Sequence, residues 1–304
     1  MEISDGWSAA IADEELRRRY PEPDFDDSAW EPIPASSQWR STPAFAETDG
    51  PVLYRAHFEA APTGSRSWLC FDGIFYTSDV WLDGNYVGDT EGYFVPHAFE
   101  VTDALRERSE HILALEVACS RPEDLTEKRN ITGVFQHWDC LDPDDSPGGI
   151  WRPVRIEHTG PARIQTMGVL CARADASRAT LDLAADVNTT GAMTVVVRTT
   201  VRQGDRVTDH EAEHNLAAAN NAISWKVDVD NPQLWWPHAL GDPALAHVSV
   251  ALFVVKPDGS RGELASDTRS VTTGLRSVSM RDFRWTINGE RIFIKAVNHG
   301  PTTQ

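Results

Sequence analysis

The protein is a chain of 304 residues, of which 41% are hydrophobic and 11 are Trp, enough to bury the cores of two or three domains. Its formal net charge of -18 argues against nucleic acid as a partner, because clustered Lys and Arg are what bind a phosphate backbone. No stretch approaches the ~18 consecutive apolar residues of a membrane-spanning helix, so no membrane partner is expected.

Strand patterns dominate the first half of the chain. A helix is predicted only over residues 12–20, where Glu14 lies four positions before Arg18. Residues 52–59 alternate apolar and polar side chains, which predicts a strand with one buried face. Residues 111–119 are apolar on both faces and predict a central strand. The Asp-Gly pair at 83–84 predicts a reverse turn, so hairpins are expected to build this region.

The second half continues the strand pattern. Residues 181–187 and 223–229 carry an apolar side chain at every second position, which is typical of strands that bury one face in a sandwich. A boundary is expected near Gly160, between two strand runs, and another near Gly274, where the pattern changes. The predicted domains are residues 1–160, 161–274 and 275–304. The middle one has a length that suits an immunoglobulin-like sandwich.

The last segment differs from the rest. Asn288-Gly289 predicts a tight turn between two strands. The second strand, residues 290–297, is apolar on both sides near its end, as in strands buried in parallel sheets. Such a strand needs a crossover helix and neighbouring strands, which these 304 residues do not supply. We therefore expect the chain to stop inside a domain and the residues at 293–297 to be exposed, mobile or paired with another molecule.

Three stretches carry a resemblance to a known family. The first comprises DFDDSAWEPIPAS at 24–36, GPVLYRAHFE at 50–59 and FDGIFYTSDVWLDGNYVGDTEGYFVPHAFEVTDAL at 71–105. The second is KRNITGVFQHWDCLDPDDSPGGIWRPVRIE at 128–157, in which GGIWRPV is the most specific signature. The third is TINGERIFIKAVNHG at 286–300. In this order, they resemble the front portion of family 2 glycoside hydrolases.

The resemblance implies a fold. That fold is mainly β: a jelly-roll, galactose-binding-like β-sandwich, then an immunoglobulin-like β-sandwich, then a terminal β-hairpin that begins a (β/α)8 barrel. It also implies that the chain is the non-catalytic front part of a retaining exo-β-glycosidase, with a β-linked sugar and the catalytic barrel as partners.

The family's chemistry lies elsewhere in its sequence. Retaining glycosidases need two carboxyl groups about 5 to 5.5 Å apart. In the resembled family both are glutamates on later barrel strands, and the acid/base follows an Asn. No Asn-Glu dipeptide occurs in these 304 residues. We therefore expect no catalytic residue in this chain, and no cofactor or metal is expected either.

The segment 132–147 is the strongest candidate for sugar contact. It places His137, Trp138 and Asp139 beside three further carboxylates at 142, 144 and 145. An indole can cover the apolar face of a pyranose while carboxylates accept its hydroxyl hydrogens. The alternatives are a solvated acidic turn or, on the three following carboxylates, a calcium site. By resemblance, Asn298 and His299 line the sugar site of a complete enzyme, and the alternative there is a simple chain turn.

Other aromatic residues have a structural interpretation. Gly148 and Gly149 are expected to permit a tight entry into a strand, with Trp151 in the core. Trp235 and Trp236 are expected to pack the end of the second sandwich.

The cellular setting is also predicted. The four widely spaced cysteines show no zinc-like pairing, and the first residues show no secretory signal, which favours reduced thiols in the cytoplasm. Two rival interpretations of function stay open: a stand-alone carbohydrate-binding protein, and a scaffold whose sandwiches support homo-oligomer contacts.

Overall fold

The computed structural model describes residues 1–119 and 148–295. They form two compact units, of which the first runs from Met1 to His158 and the second begins at Thr159. Both units are built from strands, which confirms the prediction of a mainly β protein. None of the helices in the described ranges has the length and apolar character needed to cross a lipid bilayer.

The described residues of the first unit form a sandwich of a six-stranded and a three-stranded sheet. Its strands are β1 (Trp7–Ile11), β2 (Glu31–Pro32), β3 (Val52–Glu59), β4 (Arg66–Phe71), β5 (Thr77–Leu82), β6 (Asn85–Glu91), β7 (His97–Glu100), β8 (Glu110–Ala118) and β9 (Val154–Thr159). The larger sheet has the order β2-β1-β3-β8-β5-β6, and the smaller one has the order β7-β4-β9. The apolar β8 lies in the middle of the larger sheet, as its sequence predicts.

The prediction of one buried face for β3 is wrong. Tyr54 and Ala56 face the main core, but Leu53 and Arg55 on the opposite side are also completely buried. Leu53 packs in a second cluster with Tyr20, a residue distant in sequence that covers the outer face of the sheet. A period-two pattern cannot reveal this cover, since it comes from residues far away in sequence.

The predicted helix over residues 12–20 is much shorter in the structure. Helix α1 spans Leu16–Arg19, because Asp13 Oδ1 accepts hydrogen bonds from the backbone N–H groups of Glu15 and Leu16 at 2.8 Å and forms a turn first. The second helix, α2, spans Thr102–Glu107. Two 3₁₀ helices occupy Trp39–Ser41 and Pro43–Phe45. In residues 1–119 and 148–295, helical structure is therefore confined to short connections.

The second unit is a sandwich of three plus four strands, followed by a small meander. Its strands are β10 (Ala162–Ala174), β11 (Arg178–Thr189), β12 (Met193–Gln203), β13 (Arg206–Leu216), β14 (Ala219–Asp230), β15 (Leu245–Val254), β16 (Asp267–Gly274), β17 (Val278–Arg281), β18 (Arg284–Ile287) and β19 (Glu290–Ile292). The sandwich sheets have the orders β10-β11-β14 and β13-β12-β15-β16. This seven-stranded arrangement agrees with the predicted immunoglobulin-like sandwich.

The alternating patterns of β11 and β14 are confirmed. The alternate apolar positions of the two predicted runs are buried, except Ile223, which is half-buried, and most of the polar positions are open to solvent. Trp225 illustrates the packing: its indole lies in the core and donates a hydrogen bond from Nε1 to Thr199 Oγ1 at 2.8 Å. Because the indole N–H finds a partner, the large ring is buried without an unpaired donor.

The terminal segment is a three-stranded antiparallel meander rather than a single hairpin. The turn between β18 and β19 occurs at Asn288-Gly289, both with positive φ, as predicted. The second arm ends at Ile292 and pairs with β18 alone among the described strands. Phe293 is 87% exposed and Ile294 is 46% exposed. The expected exposure at 293–297 is therefore found at Phe293 and Ile294, and Ala296 and Val297 lie outside the described residues.

Asp267 gives the second unit a testable pH dependence. Its carboxylate accepts hydrogen bonds from the backbone N–H groups of Ile164 and Thr268, each at 2.8 Å. Burial nevertheless raises the pKa of Asp267 above its ordinary value, against the attraction of Arg269. Because the pKa of Asp267 is raised in the folded state, its protonated carboxyl stabilises the fold relative to the ionised form. This stabilisation is complete below the unfolded pKa and is lost as pH rises through the folded pKa.

We expect Asp267→Asn to remove that dependence, since an amide resembles the protonated acid. The free energy of unfolding of the variant, minus that of the unchanged protein, should increase as pH rises above the ordinary pKa of an Asp carboxyl, about 4. Asp258→Asn is the control, because hydrogen bonds from Ser260 lower the pKa of that exposed carboxyl and reverse the sign. Denaturation at several pH values measures the free energy of unfolding of both variants. If the two free energies changed with pH in the same way, the raised pKa of Asp267 would be contradicted.

Candidate functional site

The candidate segment at 132–147 lies between Cys119 and Gly148 of the first unit, and residues 120–147 are outside the described ranges. The predicted sugar-contacting residues His137, Trp138 and Asp139 lie outside the described residues. The same holds for the acidic residues 142, 144 and 145 of the calcium hypothesis, and for Asn298 and His299. What the structure describes is the end of the sandwich from which the segment departs.

Gly148 and Gly149 are held tightly at this end. The Gly148 carbonyl accepts a hydrogen bond from the Trp39 backbone N–H at 3.0 Å. Gly149 and Phe75 exchange two backbone hydrogen bonds, at 2.9 and 3.0 Å. A side chain on Gly148 would overlap the indole of Trp39, and Gly149 has a φ of 135°, which favours glycine. The predicted tight entry at these two glycines agrees with the geometry.

Five aromatic side chains surround this entry, and we call them the aromatic cluster: Phe75, Tyr76, Tyr93, Phe94 and Trp151. Tyr93 stacks on Trp151 with ring centroids 4.7 Å apart and an interplanar angle of 9°. The Trp151 indole N–H donates to the Tyr93 carbonyl at 3.1 Å. Burial raises the pKa of the Tyr93 phenol to about 12, so its hydroxyl stays protonated at neutral pH.

Trp151 does not sit in the main core, contrary to the prediction. It is half-buried within the aromatic cluster, because its ring stacks on Tyr93 while the guanidinium of Arg152 lies 4.2 Å from its centroid. With both of these partners on the indole, Trp151 offers no open platform for a sugar. Phe94 is the exposed member of the cluster, with 51% of its surface accessible. The cluster is therefore suited to hold the chain rather than to bind a ligand by stacking.

Trp235 lies at the end of the second sandwich, as predicted. Its backbone N–H donates to the Leu275 carbonyl at 2.9 Å, and the guanidinium of Arg276 lies 4.7 Å from its ring centroid. Trp235 and Trp236 are both half-buried. In the described ranges, no group of three or more His, Cys, Asp or Glu side chains has an arrangement that could hold a metal ion.

Sequence reasoning missed Trp39 and Tyr93. Trp39 is fully buried against the glycines at 148–149, and Tyr93 is the stacking partner of Trp151. Trp39 lies outside the stretches that carry the resemblance, and Tyr93 lies within one of them, at 71–105, with no role predicted for it. Only the fold brings them beside a segment that lies far away in sequence.

Two family descriptions match the chain in succession. "Glycosyl hydrolase 2 galactose-binding domain-like" matches residues 43–154, and "Glycosyl hydrolases family 2" matches residues 163–276. The chain belongs to glycoside hydrolase family 2. The resemblance seen in the sequence is thereby confirmed.

Curated relatives of this family 2 chain carry the names of β-glycosidases. It is 27% identical to β-mannosidase B of Aspergillus flavus, over 82% of the chain and 33% of that protein. It is 25% identical to exo-β-D-glucosaminidase of Streptomyces avermitilis, over 84% of the chain and 28% of that protein. The chain thus spans about a third of the length of these relatives.

Solved structures share the fold of the family 2 chain. Bacteroides uniformis β-glucuronidase superposes with a TM-score of 0.75 at 21% identity, covering 95% of the chain and 34% of that protein. The Amycolatopsis orientalis exo-chitosanase superposes with a TM-score of 0.73 at 20% identity, covering 100% of the chain and 37% of that protein.

Proposed function

We propose that this chain is the non-catalytic front part of a retaining exo-β-glycosidase. The observation that carries the proposal is the succession of the two family 2 matches, at 43–154 and 163–276, in a chain that spans about a third of its relatives. The relatives' names, β-mannosidase and exo-β-D-glucosaminidase, support a β-linked sugar as the substrate. The chain would shape the substrate pocket and support a catalytic barrel.

Within that proposal, His137, Trp138 and Asp139 contact the sugar, together with Asn298 and His299. An indole covers the apolar face of a pyranose, and a carboxylate accepts hydrogen bonds from its hydroxyls. Support comes from the described flank that follows these residues: the Gly148 carbonyl accepts a hydrogen bond from the Trp39 N–H, and the aromatic cluster packs beside it.

The proposal divides the chemistry between two parts of a longer polypeptide. Protonation of the leaving group and attack on the anomeric carbon require a pair of carboxyl groups across the scissile bond. In this proposal both come from the barrel, and the present residues orient the sugar and exclude water. Orientation contributes to the rate because it is established before the reaction begins.

The first test compares the full-length gene product with the 304-residue chain on nitrophenyl β-mannoside, β-glucosaminide, β-glucuronide and β-galactoside. We expect the full-length protein to hydrolyse at least one of them with retention of the anomeric configuration, observed by NMR. We expect the 304-residue chain to hydrolyse none. Hydrolysis by the 304-residue chain, or inversion by the full-length protein, would contradict the proposal.

The second test replaces Asp139 by Asn in the full-length protein. Loss of a hydrogen bond to a charged group should lower kcat/KM by about ten- to a hundredfold. Asp24→Asn, at an exposed position of the first unit, is the matched control and should leave kcat/KM unchanged. If the two variants had equal kcat/KM, Asp139 would not contact the sugar, and the outcome of the first test would be unaffected.

A further inference from the structure

One side chain ties the terminal meander to the rest of the second unit. Asn288 lies in the two-residue turn between β18 and β19 and is half-buried. Its backbone N–H donates to the Ser277 carbonyl at 2.8 Å, and its Oδ1 accepts from the Ser277 N–H at 2.9 Å. Its Nδ2 donates to the Trp235 carbonyl at 2.9 Å. We call these three hydrogen bonds the Asn288 junction.

The Asn288 junction joins segments that are distant in sequence. Trp235 lies in the connection between β14 and β15, and Ser277 lies between β16 and β17. Strands β17, β18 and β19 pair with one another and with no other described strand. The turn of the meander is therefore held to the sandwich by the backbone and carboxamide of one residue.

Asn288 also has the sequence context of a reactive amide. It is followed by Gly289, and this is the one Asn-Gly pair in the 304 residues. Gly289 is exposed, and nothing lies within 4 Å of the position that a Cβ would take there. Because glycine has no side chain, its backbone nitrogen can approach the preceding carboxamide carbon without steric hindrance. The peptide bond after Asn288 is thus chemically suited to form a succinimide.

The Asn288 junction opposes this reaction in the folded state. A nucleophile approaches a carbonyl carbon from outside the plane of the amide. The carboxamide of Asn288 is fixed in its plane, since Oδ1 and Nδ2 are each bonded to a backbone group. The plane cannot turn toward the Gly289 nitrogen unless both bonds break. The reaction therefore requires a local opening of the meander.

We propose that Asn288 is a deamidation site controlled by the opening of the terminal meander. In the open form, the Gly289 nitrogen loses its proton and bonds to Asn288 Cγ, the Cγ–Nδ2 bond breaks, and ammonia leaves. Water then opens the succinimide to aspartate or isoaspartate. Both products lack the Nδ2 donor, so the Trp235 carbonyl loses its partner. A reversible opening is thereby converted into a permanent loosening of the meander, whatever the function of the whole protein.

Mass spectrometry of the 304-residue chain, incubated at mildly alkaline pH, tests the control by the fold. We expect Asn288 to deamidate at least about tenfold more slowly in the native chain than in guanidinium-unfolded chain. At guanidinium concentrations that leave the β10–β16 amides protected from hydrogen exchange, deamidation should already accelerate together with exchange in β18 and β19. Equal rates in native and unfolded chain, no deamidation in either, or acceleration only when β10–β16 unfold would each overturn the proposal.

The variant Asn288→Asp reproduces one product and tests the loosening. Its β18 and β19 amides should exchange with solvent about tenfold faster than in the unchanged protein, while the β10–β16 amides keep their rates. Asn288→Gly should behave alike, because glycine accepts the positive φ but forms no side-chain bonds. Asn215→Asp is the matched control: this exposed residue accepts from Thr194 Oγ1 at 2.7 Å, a bond that a carboxylate retains. Exchange in Asn288→Asp as slow as in the control would sink the proposal.

Discussion

Replacement of Arg55 by Met is expected to destabilise the first unit by about 3 to 5 kcal/mol. The Arg55 guanidinium is completely buried and donates from Nε to Asp27 Oδ2 at 2.8 Å. It also donates to the carbonyl oxygens of Tyr20 and Glu22. Met can fill much of the volume but leaves the Asp27 carboxylate and both carbonyl groups short of a donor. The loss is large because these acceptors cannot all turn to water.

Hydrogen exchange of the β3 and β8 amides, measured alongside urea denaturation, reports on this unit alone. Arg18→Met is the matched control, because Arg18 is exposed and its replacement should change stability by less than about 0.5 kcal/mol. If the β3 and β8 amides of Arg55→Met exchanged as slowly as those of the control, the buried guanidinium would have no stabilising role.

Gly148→Ala should also destabilise the first unit, by about 1 to 3 kcal/mol, because the added methyl group would overlap the Trp39 indole. The indole has little room to move: it is fully buried, and its Nε1 donates to the Thr48 carbonyl at 3.1 Å. A second residue must therefore shift, either the ring or the chain at Gly148. Gly168→Ala is the control, since nothing lies within 4 Å of the position its methyl group would take.

A double-mutant cycle distinguishes this overlap from a general loss of stability. Trp39→Phe makes room for the methyl group, so the combined variant should lose less stability than the sum of the two single variants. Additive losses would show that Gly148 is needed for another reason, such as its backbone geometry. In the full-length protein, the same cycle measured on kcat/KM would report whether the held chain end matters for activity.

The candidate sites differ in how far the sequence predicts them. The signature GGIWRPV identifies the family, and the glycines at 148–149 predict a tight strand entry, which the structure confirms. The stacking of Trp151 on Tyr93 was not predictable, because the partner comes from a loop far away in sequence.

The sequence by itself determined what depends on near neighbours in the chain. The alternation at residues 181–187 and 223–229 and the turn at Asn288-Gly289 depend on side chains a few positions apart, so their structures follow from local physical chemistry. Only the tertiary structure decided that both faces of β3 are buried and that Trp39 closes over Gly148. These features arise from contacts between distant segments, whose positions depend on the packing of the entire unit.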